Sequence, residues 1–280
     1  MHKLAAFLAR GGIANAARGR MRALHDGALL YLGLALLGAI CLGWLPFALL
    51  LDRVLPPRAG RPVGRFAIMA GFRLYLALLT VLGGGRFDLA ALDALADEPG
   101  LVIAPNHPSL LDAVLIVSRL PGVVCIMKAA LMHNLFLGAG ARLAGYIGND
   151  SVRRMIAGAV AALAAGNHLL LFPEGTRTTH APVDPFQGSI ALIARRAGVP
   201  VQTVFIETDS DFLGKGKPLL RRVPLPLRYR VRLGRRFAPD LEALDVELEA
   251  YFRAELSASP SRSPTHEYPP PASTGPDPEL

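Results

Sequence analysis

Two short polar runs carry the residue types that acid–base chemistry requires. In Asn106-His107-Pro108-Ser109-Leu110-Leu111-Asp112 a histidine is followed five positions later by a carboxylate. A carboxylate bonded to one imidazole nitrogen fixes the tautomer and leaves the other nitrogen free as a base. Five residues correspond to about 140° of helical rotation. His107 and Asp112 therefore cannot share a face of one regular helix and meet only if His107 folds back from a turn that precedes it. The second run, Phe172-Pro173-Glu174-Gly175-Thr176-Arg177, brings an arginine, whose planar fork can grip a phosphate through two bonds. Singly, such a histidine is more often structural, and such a glutamate is as often an ion-pair partner. Together, on two loops, they describe a reaction crevice.

These loops need rigid elements behind them. The apolar run Leu101-Val102-Ile103-Ala104-Pro105 reads as a buried strand that delivers His107 to a sheet edge, and Leu169-Leu170-Leu171 does the same for the second loop. After His107 the pattern fits a helix with Pro108 in its first turn, Asp112 inside it and its end near Ser118. Residues 123–127 form another strand ending at Lys128, which can face the crevice. Strand, helix, strand is a βαβ unit and favours parallel pairing. Further along, Ser151 caps a helix over 152–165 that Gly166 stops, and 189–197 is a helix closed by Gly198. Strands are expected over 199–206 and 228–233, the latter with Arg228, Arg230 and Arg232 on one face. Residues 88–97 and 240–256 read as amphipathic helices.

The spacing His-x4-Asp, followed some 65 residues on by Phe-Pro-Glu-Gly-Thr-Arg, resembles the glycerolipid acyltransferase superfamily and its lysophosphatidic acid acyltransferase branch. Gly145-Tyr146-Ile147 and Val199-Pro200-Val201 fall in the order of that family's weaker blocks. The resemblance covers roughly residues 85–240. It implies an α/β fold, a mixed and largely parallel sheet flanked by helices. It also implies His107 as base, Asp112 as its orienting partner, and Asn106, Lys128, Glu174, Gly175, Thr176 and Arg177 as substrate-binding positions. Two blocks depart from the family. Ile147-Gly148-Asn149-Asp150 lacks the acidic–basic pair that usually follows the isoleucine, and Lys128-Ala129-Ala130-Leu131 lacks a glutamate.

Composition points to a membrane. Hydrophobic residues make up 52% of the 280-residue chain, above the soluble average. Residues 27–51 carry no charge, enough helix to cross a bilayer core, although Gly43-Trp44-Leu45-Pro46-Phe47 interrupts them. Basic residues on both flanks leave the orientation open, and a re-entrant helical pair is as compatible as one crossing. A second apolar helix is expected over 66–82, broken only by Arg73. The basic N-terminus has no cleavage site typical of a removable signal. The division is then a membrane-associated segment over 1–84, an acyltransferase domain over 85–256 and a Pro/Ser-rich tail over 257–280 without apolar period, read as disordered.

The 30 basic and 22 acidic residues leave +8, and nine of the basic ones lie between Phe212 and Pro239 with no acid among them. That segment suits an anionic membrane surface or an acidic acyl carrier protein. No nucleic-acid motif accompanies it. Two cysteines and seven scattered histidines give no disulfide framework and no metal-ligand spacing. The expected activity is transfer of an acyl group from acyl-coenzyme A or acyl carrier protein to lysophosphatidic acid, without a cofactor. The expected location is the cytoplasmic face of the inner membrane. Another lipid or aryl-polyene-type acceptor, a hydrolase and a non-catalytic membrane adaptor are the alternatives. No Gly-x-Ser-x-Gly elbow is present, which favours direct transfer.

Overall fold

The computed structural model describes the backbone of residues 2–258 apart from 219, 220 and 222, and side chains from Gly19 onward. The chain opens with two long helices, α1 (His2–Val54) and α2 (Pro57–Val81). Strand β1 (Gly85–Asp88), a 3₁₀ turn (Ala90–Leu95), β2 (Val102–Pro105), α3 (Asp112–Val117) and β3 (Val124–Met127) follow. Next come α4 (Ala129–Met132), α5 (Gly138–Ala144), β4 (Ile147–Gly148), α6 (Val152–Ala164) and β5 (Leu169–Leu170). The chain continues through α7 (Ser189–Ala197), β6 (Val201–Thr208), β7 (Leu227–Phe237) and α8 (Leu244–Ala258). The Pro/Ser-rich tail beyond Ala258 lies outside the described residues.

One sheet has the order β1-β7-β6-β2-β5-β3-β4, and every neighbouring pair is parallel except β6 with β7. The expected mixed, largely parallel sheet is present. β2 and β3 are parallel but not adjacent, because β5 lies between them. Side chains alternate across the sheet as strand geometry requires. Ile103 and Leu170 join Leu115 and Ile116 of α3 in one core, while Val102, Leu169 and Leu171 join Ile156 of α6, Ile193 of α7 and Leu248 of α8 in the other.

Several boundaries differ from the sequence expectation, each for a local reason. The stretch over 88–97 is not an α-helix: its first residue ends β1, and Leu89, Leu92 and Leu95 are buried at a spacing of three, the repeat of a 3₁₀ turn. α3 starts at Asp112 rather than Pro108. Ser109 N–H donates to Asp112 Oδ2 and Leu111 N–H to Ser109 Oγ, side-chain bonds that hold 108–111 as a bend. α1 runs unbroken through Pro46, where Trp44, Leu45, Ala48 and Leu51 pack on Ala139 and Leu143 of α5. α2 begins nine residues before Phe66, with Pro57 at its first position. A Cβ on Gly64 would stand 2.7 Å from Ala144 N, so glycine permits the approach of α2 to α5. Arg65 beside it donates from Nε to Ala144 O (2.9 Å) at the C-terminus of α5, where a cation is favoured.

The basic segment is less naked in space than in sequence. Lys217 and Arg221 meet Asp211, Arg228 meets Asp209, Arg230 meets Asp88, Arg232 meets Glu207 and Glu255, and Arg236 meets Glu98. These acids lie outside the segment in sequence, and most of the pairs are exposed, each worth about 0–1 kcal/mol.

Candidate active site

β5, β2 and β6 are adjacent and parallel, so the loops leaving their C-terminal ends converge at one edge of the sheet. The β2 loop carries His107, the β5 loop carries 172–177, and the β6 loop carries Phe212 and Leu213. His107 does fold back from the bend. Its Nδ1 lies 2.8 Å from Asp112 Oδ2, and the ring stacks on Phe172 with centroids 3.8 Å apart. Asp112 is wholly buried, whereas 15% of the His107 side chain is exposed. Nε2 of His107 has no hydrogen-bond partner among the described residues. With Nδ1 engaged by the carboxylate, Nε2 is the nitrogen available as a base.

Burial pushes the Asp112 carboxyl up to about 6, against the opposing pull of His107 and of the Ser109 N–H. The sign has two consequences. As pH falls through about 6 the carboxylate takes a proton and no longer steadies an imidazolium, so activity drops. Over the same interval the cost of burying an ionised carboxylate disappears, because the folded state binds this proton more readily than the unfolded one. The pH profile of kcat/KM is therefore expected to show an acidic limb near pH 6 that comes from the Asp112 carboxyl. A profile flat down to pH 5 refutes this origin.

Glu174 is buried and faces protein, not solvent. Oε1 accepts from His107 N–H (3.0 Å) and Thr178 Oγ1 (2.8 Å), and Oε2 accepts from Asp184 N–H (2.9 Å). No arginine or lysine pairs with it among the described residues. Its carboxyl is raised by burial, which these three donors oppose. The adjoining turn needs Gly175 at φ +67°, a left-handed conformation. Thr178 N–H then closes on His107 O (2.8 Å), so the β5 loop holds the histidine backbone from both sides.

The remaining expected positions are placed as follows. Asn106 is buried; its Nδ2 donates to Ile206 O (3.0 Å) and its Oδ1 accepts from Ile206 N–H (2.7 Å), continuing the β2–β6 ladder past Pro105, which has no N–H. Arg177 donates from Nη1 to Leu213 O (2.6 Å) and Gly214 O (2.9 Å). Lys128 is exposed at the end of β3, on the same edge, and Thr176 is half-buried with no side-chain hydrogen bond among the described residues. Asn149 accepts from Ala129 N–H, and Asp150 pairs with Arg154.

Residues that the sequence reading did not single out complete the frame. Ser109 Oγ donates to Phe212 O (2.9 Å) and accepts from Tyr229 Oη (3.1 Å). Leu213, at φ +57°, turns its carbonyl to both Leu110 N–H and Arg177. Asp184 gathers Thr179 and His180, with His180 Nδ1 at 2.8 Å, and its carboxyl is held well below the usual range by the Thr179 hydroxyl first. Ser109 lay inside the motif, but nothing linked it to Tyr229 until β7 paired with β6.

The family model described as Acyltransferase matches residues 86–207, the stretch that carries both the His107 loop and the loop over 172–177. Over that stretch the chain is similar to acyltransferases, among them the following relatives. It is 28% identical over 198 residues to 1-acyl-sn-glycerol-3-phosphate acyltransferase alpha of Mus musculus, covering 68% of this chain and 67% of that protein. With the Homo sapiens protein of the same name it shares 28% identity over 62% of each chain, somewhat under two thirds of that relative's length. The 1-acyl-sn-glycerol-3-phosphate acyltransferase of Pseudomonas aeruginosa is 26% identical over 59% of this chain and 65% of its own. In fold the chain is similar to the 1-acyl-sn-glycerophosphate acyltransferase PlsC of Thermotoga maritima. The TM-score is 0.65 at 19% identity, over 86% of this chain and 99% of that one.

Proposed function

We propose that the protein is a membrane-bound enzyme that moves a fatty acyl group from a carrier thioester, acyl-coenzyme A or acyl carrier protein, to the hydroxyl of lysophosphatidic acid, a step of phospholipid synthesis. The observation that carries this reading is the His107–Asp112 pair with Nε2 left open. His107 Nε2 takes the proton of the acceptor hydroxyl as its oxygen attacks the thioester carbonyl. Asp112 stabilises the imidazolium. Collapse of the tetrahedral intermediate breaks the carbon–sulfur bond, and the thiolate leaves with the proton from His107. The product ester and the free carrier thiol balance the step, and no prosthetic group takes part in it.

Membrane attachment is supported by α1 and α2. Both are long and apolar enough to cross a bilayer, and they expose Leu42, Phe47, Leu50, Phe66, Leu74 and Val81. We place the catalytic domain on the cytoplasmic side of the inner membrane, where carrier thioesters are made.

A different hydroxyl acceptor is the second reading. It is favoured by Arg177 spending Nη1 on backbone carbonyls, and by Asp150 engaging Arg154 in the block that departs from the family. Carrier-thiol release separates the two, measured with acyl-coenzyme A or acyl carrier protein and with lysophosphatidate present or absent. Release that depends strictly on lysophosphatidate is expected. Release only with another lipid hydroxyl supports the second reading, and release without any acceptor identifies a hydrolase.

A further inference from the structure

Arg73 is the sole charge between Phe66 and Leu82, and the catalytic site does not use it. Its side chain is exposed on α2, with Nε donating to Ser118 O at the end of α3 (3.1 Å). No carboxylate lies in ion-pair range of it among the described residues. A charge on an otherwise apolar outward face is costly next to hydrocarbon unless something of opposite sign meets it. Around Arg73 runs an open groove of about 350 Å³, walled by Leu76, Ala77 and Thr80 of α2, by Phe87 and by Arg119. Arg119 is already held by Asp93, with Nε at 2.8 Å, and Asp88 in the same wall by Arg230 at 3.5 Å. Arg73 is thus the groove arginine without a carboxylate partner among the described residues, held only by the carbonyl at the end of α3. Leu74 and Val81 on the same helix, and Leu82 just past its end, are also exposed.

We propose that this groove holds an anionic phospholipid of the bilayer, its phosphate gripped by the Arg73 guanidinium and its chains lying along the outward face of α2. The inference rests on the membrane-bound reading above. A guanidinium keeps its charge at any working pH and offers parallel donors to two phosphate oxygens. The Thr80 hydroxyl is spent on Leu76 O (2.9 Å), so the guanidinium alone supplies the donors, and the apolar wall matches the upper part of an acyl chain. The groove is separate from the reaction centre. Ser118 and Arg119 close the C-terminal end of α3, whereas Asp112 begins it, so about 9 Å of helix separates the two. The lipid held here is a bulk phospholipid and not the acceptor in its reacting position.

The test uses the full chain and vesicles of phosphatidylcholine alone, with phosphatidylglycerol or with phosphatidate, with bound protein measured by flotation. Four proteins are compared: the natural chain, Arg73→Gln, Ala77→Trp, which fills the groove and keeps its charge, and Arg86→Gln, which removes an exposed arginine outside it. Preference for the phosphatidylglycerol vesicles is expected to fall about fivefold in both Arg73→Gln and Ala77→Trp, and less than about twofold in Arg86→Gln. Binding to phosphatidylcholine alone stays the same in all four. Equal losses in Arg73→Gln and Arg86→Gln, or an undiminished preference in Ala77→Trp, overturn the proposal in favour of diffuse surface charge. A fifth protein, Arg73→Lys, which retains the charge without the fork, guards against a folding defect: it binds phosphatidylcholine vesicles normally and retains less than half of the preference. A preference seen only with phosphatidate also overturns it, since the occupant is then the reaction product. Failure of the natural chain to bind either vesicle sinks the membrane reading itself.

Discussion

Replacing His107 with alanine is expected to lower kcat/KM by about 10²–10⁴, the contribution typical of a positioned general base. The protein should nevertheless fold. The contacts that hold this position run through its backbone, N–H to Glu174 and C=O from Thr178, and survive loss of the ring. Lost are the stacking on Phe172 and the partner of a buried carboxylate, which then binds a proton more readily. Asp112→Asn tests the other half of the pair. An amide at that position keeps the shape, but it no longer fixes the Nδ1–H tautomer or stabilises the imidazolium, so a loss of about 10²-fold or more is expected. Both variants are assayed by carrier-thiol release on samples with matched melting curves. Turnover of the alanine variant within tenfold of the natural protein rules out proton abstraction by His107.

The parts of this site that could be read from the sequence are those set by local chemistry. A strand ending in a polar turn is visible in Leu101 to His107, and the fold-back of the histidine follows from helical angles alone. What escaped reading depends on partners far away in the chain. Asn106 looks like a ligand-facing amide until β6 lies alongside and Ile206 takes up both its ends. Arg177 reads as a phosphate fork, yet two of its donor contacts go to carbonyls brought in by the β6 loop. Tyr229 is 120 residues from Ser109, and only the antiparallel register of Thr208 with Tyr229 brings it close. The short strand β1 was hidden because a four-residue edge strand has no period to detect, and the leucines after it mimic a helix. Likewise Gly60, Gly64 and Arg65 belong to a helix packed on α5, which the basic flank of the first apolar stretch concealed.

Glu174 separates two roles that the sequence could not. If it binds the acceptor, Glu174→Ala raises the KM for acceptor and leaves stability almost unchanged. In the structure both carboxylate oxygens serve protein donors that are buried or partly buried, so a different result is expected. Alanine leaves His107 N–H, the Thr178 hydroxyl and Asp184 N–H without an acceptor, at about 1–3 kcal/mol for each donor that water cannot reach. Removal of a carboxylate whose burial already opposes ionisation offsets part of this. A net loss of about 3 kcal/mol is a large share of the 5–15 kcal/mol typical of a domain and lowers the melting temperature by on the order of 10 °C. Because the same bonds hold the histidine backbone, kcat falls about 10²-fold with little change in KM, since displacement of the base weakens the transition state and not the encounter. Glu174→Gln lies between the two. Its oxygen can still serve His107 and Thr178, but its amide group then meets Asp184 N–H donor to donor. A graded series in which kcat and melting temperature fall together, natural protein to glutamine to alanine, identifies Glu174 as the residue that positions the base; a rise confined to KM assigns it to the acceptor instead.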